Sequence, residues 1–167
     1  GYMSAAQLRD MVKVMVDNEG AVVWDAPYLL TLVRLDGGTA SFDAPMLQDT
    51  LNELREMAEQ YHPHLCVLSS LSKSCLIAGL RFGFAYGSTQ WVDNMEAIVG
   101  RENLSSPTPS FIAGKEVLRR FLDNPKSYEW VCRVLANRLN ILIAEMGEHL
   151  LLPGNGLFGA LYVLVKT

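Results

Sequence analysis

The sequence predicts an α/β fold, a mostly parallel sheet flanked by helices, with the beginning of a small α+β lobe after it. Three observations carry that expectation. Two short, wholly apolar runs, Ala21-Val22-Val23-Trp24 and Leu65-Cys66-Val67-Leu68, are separated by a segment of helical periodicity. Each run ends in polar residues able to do chemistry, Asp25 after the first and Ser69 to Lys73 after the second. The 167 residues, half of them hydrophobic, suffice for one core and the start of a second lobe.

Residues 4–17 read as an amphipathic helix. Ser4 and Gln7 form a capping box, and Leu8, Met11, Val12 and Met15 share one face. Asn18-Glu19-Gly20 stops it, and the apolar run that follows reads as a strand buried on both faces. Asp25 stands at its carboxyl end, where open α/β sheets bind ligands. Residues 29–42 show no clear period and read as irregular, with Asp36-Gly37-Gly38 inside them. Asp43 is the expected N-cap of a helix to residue 61, with Leu47, Leu51, Leu54, Ala58 and Tyr61 inward. Strand, helix and strand (65–69) form a βαβ crossover, which makes the two strands parallel.

Residues 80–86 read as a third strand, on a connection short enough to run antiparallel to the second. Ser88 can cap a helix whose inner face carries Trp91, Met95 and Ile98. Residues 104–109 form a proline-broken loop, and 110–122 another helix. Asp123-Asn124-Pro125 divides the chain into 1–124 and 125–167. The second part opens with a long helix, 126–148, whose expected buried side is Tyr128, Val131, Leu135, Leu142 and Met146. Pro153-Gly154-Asn155-Gly156 is a turn, and 157–166 reads as a strand, one that needs a partner.

Composition narrows the function. A net charge of -4 with no basic stretch argues against a nucleic-acid partner. No apolar run has membrane length, and Cys66, Cys75 and Cys132 read as reduced thiols of a cytoplasmic protein. No His or Cys spacing suggests a metal site. His62 and His64 flank a proline in a turn, and His149 complements a helix dipole.

The chemistry concentrates in Ser70-Leu71-Ser72-Lys73 and in Ala78-Gly79-Leu80-Arg81-Phe82-Gly83. A lysine in a loop beside packed strands can act as a nitrogen nucleophile towards a carbonyl. The hydroxyls of Ser70 and Ser72 and the guanidinium of Arg81 are groups that hold a phosphate dianion. A carbonyl and a phosphate on one small molecule describe pyridoxal phosphate. Plainer readings stand beside these: a strand-end turn for Asp25 and Tyr28, loop hydrogen bonds for the serines, an ion pair for Arg81.

With its lysine-to-arginine spacing of eight, S-L-S-K…A-G-L-R-F-G resembles the lysine motif of fold-type I, class I/II aminotransferases. Asp25-Ala26-Pro27-Tyr28 is similar to a second element of that family, Asp-x-x-Tyr. The resemblance implies the fold of a pyridoxal-phosphate-dependent transferase. Lys73 would form the Schiff base and move the Cα proton, Asp25 would pair with the pyridine nitrogen, and Tyr28 would contact the phenolic oxygen. Ser70, Ser72 and Arg81 would anchor the phosphate. Ser105, Ser106 and Thr108 resemble a loop that reaches the neighbouring subunit's phosphate site. Residues 1–124 then correspond to the later part of the large domain, and 125–167 to the connecting helix and the start of the small domain.

Amino acid and keto acid substrates and a homodimer are implied as well. The family's earlier half, with its phosphate turn and stacking aromatic residue, is not identifiable in this sequence. The expectation is therefore a fragment or one chain of a split enzyme, completed by another polypeptide. Two alternatives remain open. One is another pyridoxal-phosphate enzyme of the same fold (decarboxylase, lyase or cyclase); the other is a non-catalytic sensing or interaction domain.

Overall fold

The computed structural model describes residues 3–102 and 107–166. Its first helix, α1 (Ala5–Asp17), begins at a reciprocal cap. Ser4 Oγ accepts from the Gln7 amide at 3.2 Å, and Gln7 Oε1 accepts from the Ser4 amide at 2.9 Å. Strand β1 (Val22–Asp25) follows, and then a hairpin, β2 (Leu32–Asp36) and β3 (Thr39–Ser41). Helix α2 (Ala44–Gln60) leads to β4 (Leu65–Ser70), which runs directly into the single-turn α3 (Leu71–Ser74). The chain continues through β5 (Gly83–Tyr86), α4 (Thr89–Glu102), α5 (Thr108–Asp123) and α6 (Glu129–Met146). Three short strands close it: β6 (Leu150–Leu151), β7 (Gly156–Gly159) and β8 (Leu164–Val165).

The expected βαβ unit is present. β1 and β4 pair in parallel, with Asp25 opposite Leu68, and β5 adds to β4 antiparallel, with Gly83 opposite Ser70. Helices α1 and α2 pack together on one side of this sheet, burying Leu8, Val12, Met57 and Leu65 in one cluster. Trp91 Nε1 donates to the Pro63 carbonyl at 3.3 Å, tying α4 to the turn before β4.

The described strands form three sheets, β1–β4–β5, β3–β2–β7 and β6–β8, and their pairing is mixed, not mostly parallel. Among the described strands β1–β4 is the parallel pair, and β2–β3, β2–β7, β4–β5 and β6–β8 are antiparallel. Parallel pairing needs a long crossover, which α2 supplies for β1 and β4; the other connections are turns or non-sequential pairings. Nor is β1 buried on both faces. Val22 is buried, but Val23 on the opposite face is 54% exposed, because the helices cover one side only.

The stretch 29–42, expected to be irregular, is the hairpin. Gly37 and Gly38 have φ of 54° and 79°, the left-handed pair that a tight two-residue hairpin loop demands. The hairpin is not isolated: β2 also pairs with β7, Leu32 opposite Gly159. Val33 and Leu35 of β2, Phe158 of β7 and Val131, Leu135 and Leu139 of α6 form a second core. That stripe of four-residue steps decides which face of α6 is inward, so Leu142, expected inside, is 40% exposed. Ile98 on α4 is likewise exposed, and the expected strand 157–166 is divided into β7 and β8. Of the expected loop 104–109, residues 104–106, with Ser105 and Ser106, lie outside the described residues; Thr108 opens α5.

Two polar contacts lock the hairpin in place. Asp43 caps α2 through the Met46 amide and accepts from Arg34 of β2, both at 2.9 Å. The Met46 bond first, and Arg34 second, lower the Asp43 pKa. That contribution is therefore present above the ordinary carboxylate range and fades as pH falls through the depressed value. Asn140 on α6 serves the edge of β3. Its Oδ1 accepts from the Ala40 amide and its Nδ2 donates to the Ala40 carbonyl, each at 2.7 Å. Asn140→Ala leaves both backbone groups unpaired and is expected to cost about 1–3 kcal/mol in urea unfolding. A loss below about 0.5 kcal/mol would mean that water replaces the amide fully.

Candidate active site

The carboxyl ends of β1 and β4 lie side by side, and the sequence places its chemistry there. Ala26, just past β1, donates its amide to the Leu68 carbonyl at 2.8 Å and accepts from Ser69 Oγ at 3.2 Å. These bonds hold Asp25-Ala26-Pro27-Tyr28 against the exit of β4. Asp25 and Tyr28 are exposed and, with Trp24, Leu32 and Gly159, line a cavity of about 190 Å³.

Ser70 is the residue at which β4 becomes α3. It occupies the cap position, yet its hydroxyl makes no capping bond, while its carbonyl accepts from Ser74 Oγ at 2.9 Å. Lys73 sits within that single turn, and its Nζ lies 5.9 Å from the centroid of the Tyr28 ring. Ser72 is half-buried beside it. Lys73 thus lies near Tyr28, and Asp25 stands three residues before that tyrosine, at the end of the strand paired with β4.

Arg81 is brought back by the pairing of β5 with β4. The Leu71 amide donates to the carbonyl of Phe82, the next residue, at 3.2 Å. Phe82 is seated by α5, where a Cβ on Gly114 would overlap its ring. Arg81 itself is left-handed, with φ of 54°, and its guanidinium donates to the Ala78 carbonyl at 3.1 Å. That guanidinium is therefore engaged with its own turn rather than with a serine.

One residue that sequence reasoning passed over stands in the site. Tyr162, between β7 and β8, has its ring centroid 6.0 Å from Lys73 Nζ and 5.7 Å from that of Tyr28, with the rings edge-to-face at 70°. Hydrogen bonding to Tyr28 and then the positive charge of Lys73 lower the Tyr162 pKa, while Tyr162 raises that of Tyr28. Tyr162 lies in the stretch that resembles the start of the small domain, where no site role was assigned to it, and its place follows from the pairing of β7 with β2.

Thr31 sets this arrangement. It is fully buried, and both its amide (3.0 Å) and its Oγ1 (2.7 Å) donate to the Tyr28 carbonyl. Its own carbonyl accepts from Ala160, two residues before Tyr162, at 3.3 Å. Next to it, the Cys132 thiol donates to the Leu30 carbonyl at 3.2 Å; burial pushes that thiol up to about 11, so it stays a donor at neutral pH. Thr31→Val removes the Oγ1 bond alone and is expected to lower unfolding free energy by about 1 kcal/mol. An unchanged denaturation midpoint would show that the amide suffices.

An amine, a carboxylate and a phenol near the carboxyl ends of parallel strands, with a serine hydroxyl that makes no capping bond at the start of the lysine's turn, fit pyridoxal phosphate as a donor set. The fold is thus that of an α/β protein with a lysine and two tyrosines gathered near the carboxyl ends of its parallel strands. The chain belongs to the aminotransferase class I and II family, whose pattern matches residues 2–154. It is similar to histidinol-phosphate aminotransferase of Clostridium botulinum, 26% identical over 117 residues, 62% of this chain and 32% of that protein. To histidinol-phosphate aminotransferase of Cronobacter sakazakii it is 34% identical over 87 residues, 52% of this chain and 23% of that protein. The chain spans about a third, or less, of the length of these curated relatives. No solved structure matches it.

Proposed function

We infer that this chain carries the lysine-bearing part of a pyridoxal-phosphate-dependent aminotransferase, moving an amino group from an amino acid to a keto acid. The observation that supports it most is the approach of Lys73 to Tyr28, three residues after Asp25, at the ends of the two parallel strands. Family membership is the second support.

In this reading Lys73 holds the cofactor covalently through Nζ, and Ser70, Ser72 and Arg81 hold its phosphate, Arg81 after leaving the Ala78 carbonyl. When bound, pyridoxal phosphate supplies an electron sink for the charge left at an amino acid's Cα. The Asp25 carboxylate keeps the positive end of the ring in place by charge pairing. The Tyr28 hydroxyl donates towards the ring's phenolic oxygen. Lys73 Nζ, once free, would take the proton from Cα and deliver it to the cofactor's aldehyde-derived carbon, so one amine would serve attachment and proton transfer.

Residues 1–124 act as the later part of the large domain in this reading, and 125–167 as the connecting helix and the start of the small domain. The β1–β4–β5 sheet is a portion of a larger, mostly parallel sheet completed by another polypeptide segment. Exposed Val23, Phe84, Tyr86, Phe111 and Ile112 are then covered in the whole protein, a cytoplasmic dimer.

The test is the amine-transfer reaction itself. The chain is co-produced with a segment carrying the first part of an aminotransferase large domain, then supplied with pyridoxal phosphate, 2-oxoglutarate and single amino donors. Histidinol phosphate is included because the similar proteins are named for it. Formation of glutamate supports the reading. Loss of carbon dioxide or elimination in its place would assign the chain to another reaction of the fold.

A further inference from the structure

The Lys73 amine is flanked by two aromatic rings that contribute little to any core. Tyr28 is 38% exposed and Tyr162 is 64% exposed, yet their centroids stand 5.9 Å and 6.0 Å from Nζ. The rings come from opposite ends of the described chain. Tyr28 precedes β2 and Tyr162 follows β7, and the Leu32–Gly159 pair with the two-sided bonding of Thr31 sets their separation. Rings in an edge-to-face pair present part of their electron-rich surface to a neighbouring ammonium, and such a contact favours one position of the cation. A lysine stem is otherwise free to rotate through many arrangements.

We propose that Tyr162 is a positioning residue for Lys73, its ring closing with that of Tyr28 a two-ring clamp that fixes the amine over the Asp25 rim. The proposal rests on the aminotransferase reading and deepens it by joining the segment after β7 to the lysine. It also gives the hairpin a role. β2 is the strand through which both rings are held in register, so the hairpin supports the site as well as the second core. The lowered pKa of Tyr162, set by Tyr28 and then by Lys73, is in keeping with this closeness.

The test follows Lys73 itself, without cofactor. The full chain is treated briefly with acetic anhydride, and the acetylation rate of Lys73 is read by peptide mass spectrometry against those of Lys13, Lys115 and Lys166. In Tyr162→Ala the relative rate at Lys73 is expected to rise about three- to fivefold, the weight of one exposed cation–π contact. Tyr162→Phe keeps the ring but loses the hydroxyl that faces Tyr28 and Lys73, and is expected to raise the rate by less than half as much, with amide exchange of β2 and β7 unchanged in both variants. An unchanged Lys73 rate in Tyr162→Ala overturns the clamp, as does an equal rise in Tyr162→Phe or faster exchange across β2 and β7. The aminotransferase reading is judged separately, by glutamate formation in the completed wild-type protein. If that fails while Tyr162→Ala frees Lys73, the clamp stands and the reading falls.

Discussion

Lys73→Ala, in the chain completed by a segment carrying the first part of the large domain, is expected to lower amine transfer by about 10⁴-fold or more. One amine is assigned two jobs. Its removal takes away both covalent attachment and the positioned base at Cα, and a positioned base alone is worth about 10²–10⁴ in rate. Lys73 is half-buried in the single turn α3 and takes part in no ion pair among the described residues, so the fold should tolerate alanine. The measurement is the single-turnover rate of amine transfer, with unfolding in urea as the control. A variant that retains more than about a tenth of the wild-type rate would move the chemistry to another group.

The second large effect is expected at Asp25. Asp25→Asn keeps the shape of the side chain and removes its charge. A pre-positioned charge facing the place where opposite charge is held is worth about 10²–10³ in rate, and a loss of that size is expected in completed protein. Asp25 is exposed at the mouth of its cavity, so stability should change little. The discriminating comparison is Asp25→Asn beside Asp25→Glu. Partial activity in the glutamate variant and near-absence in the asparagine variant fit a charge role; equal losses fit a role in shape.

The parts of the fold that were legible in the sequence are those written in local signals. Ser4 with Gln7 and Asp43 ahead of its helix are caps whose bonds form within a few residues, and both are present. The crossover from β1 through α2 to β4 was legible because a long helix between two apolar runs leaves one handed solution. The hairpin was not. Asp36-Gly37-Gly38 carried the turn signal, but the strands on either side are short, and β2 is completed by β7, more than a hundred residues later. The face of α6 was misread for the same reason: it is chosen by the sheet it meets, through Val131, Leu135 and Leu139.

The candidate site divides along the same line. Lys73, Asp25 and Tyr28 stand in motifs a few residues long and could be named from the sequence. Tyr162 and Thr31 could not, since their importance arises from the pairing of β2 with β7 and from hydrogen bonds to Tyr28 and Ala160. Arg81 lies between. Its motif is legible, but its side chain faces the carbonyl of its own turn, so its phosphate role requires it to turn away from Ala78.

The most direct test of the central claim is to find where pyridoxal phosphate attaches. The completed protein is mixed with the cofactor, reduced with borohydride and digested, and the reduced adduct is mapped by mass spectrometry across Lys13, Lys73, Lys115, Lys126 and Lys166. The account predicts the adduct on the peptide that contains Lys73, at close to one per chain, and its disappearance in Lys73→Ala. An adduct spread over the other lysines, or one that persists when Lys73 is replaced, would contradict it.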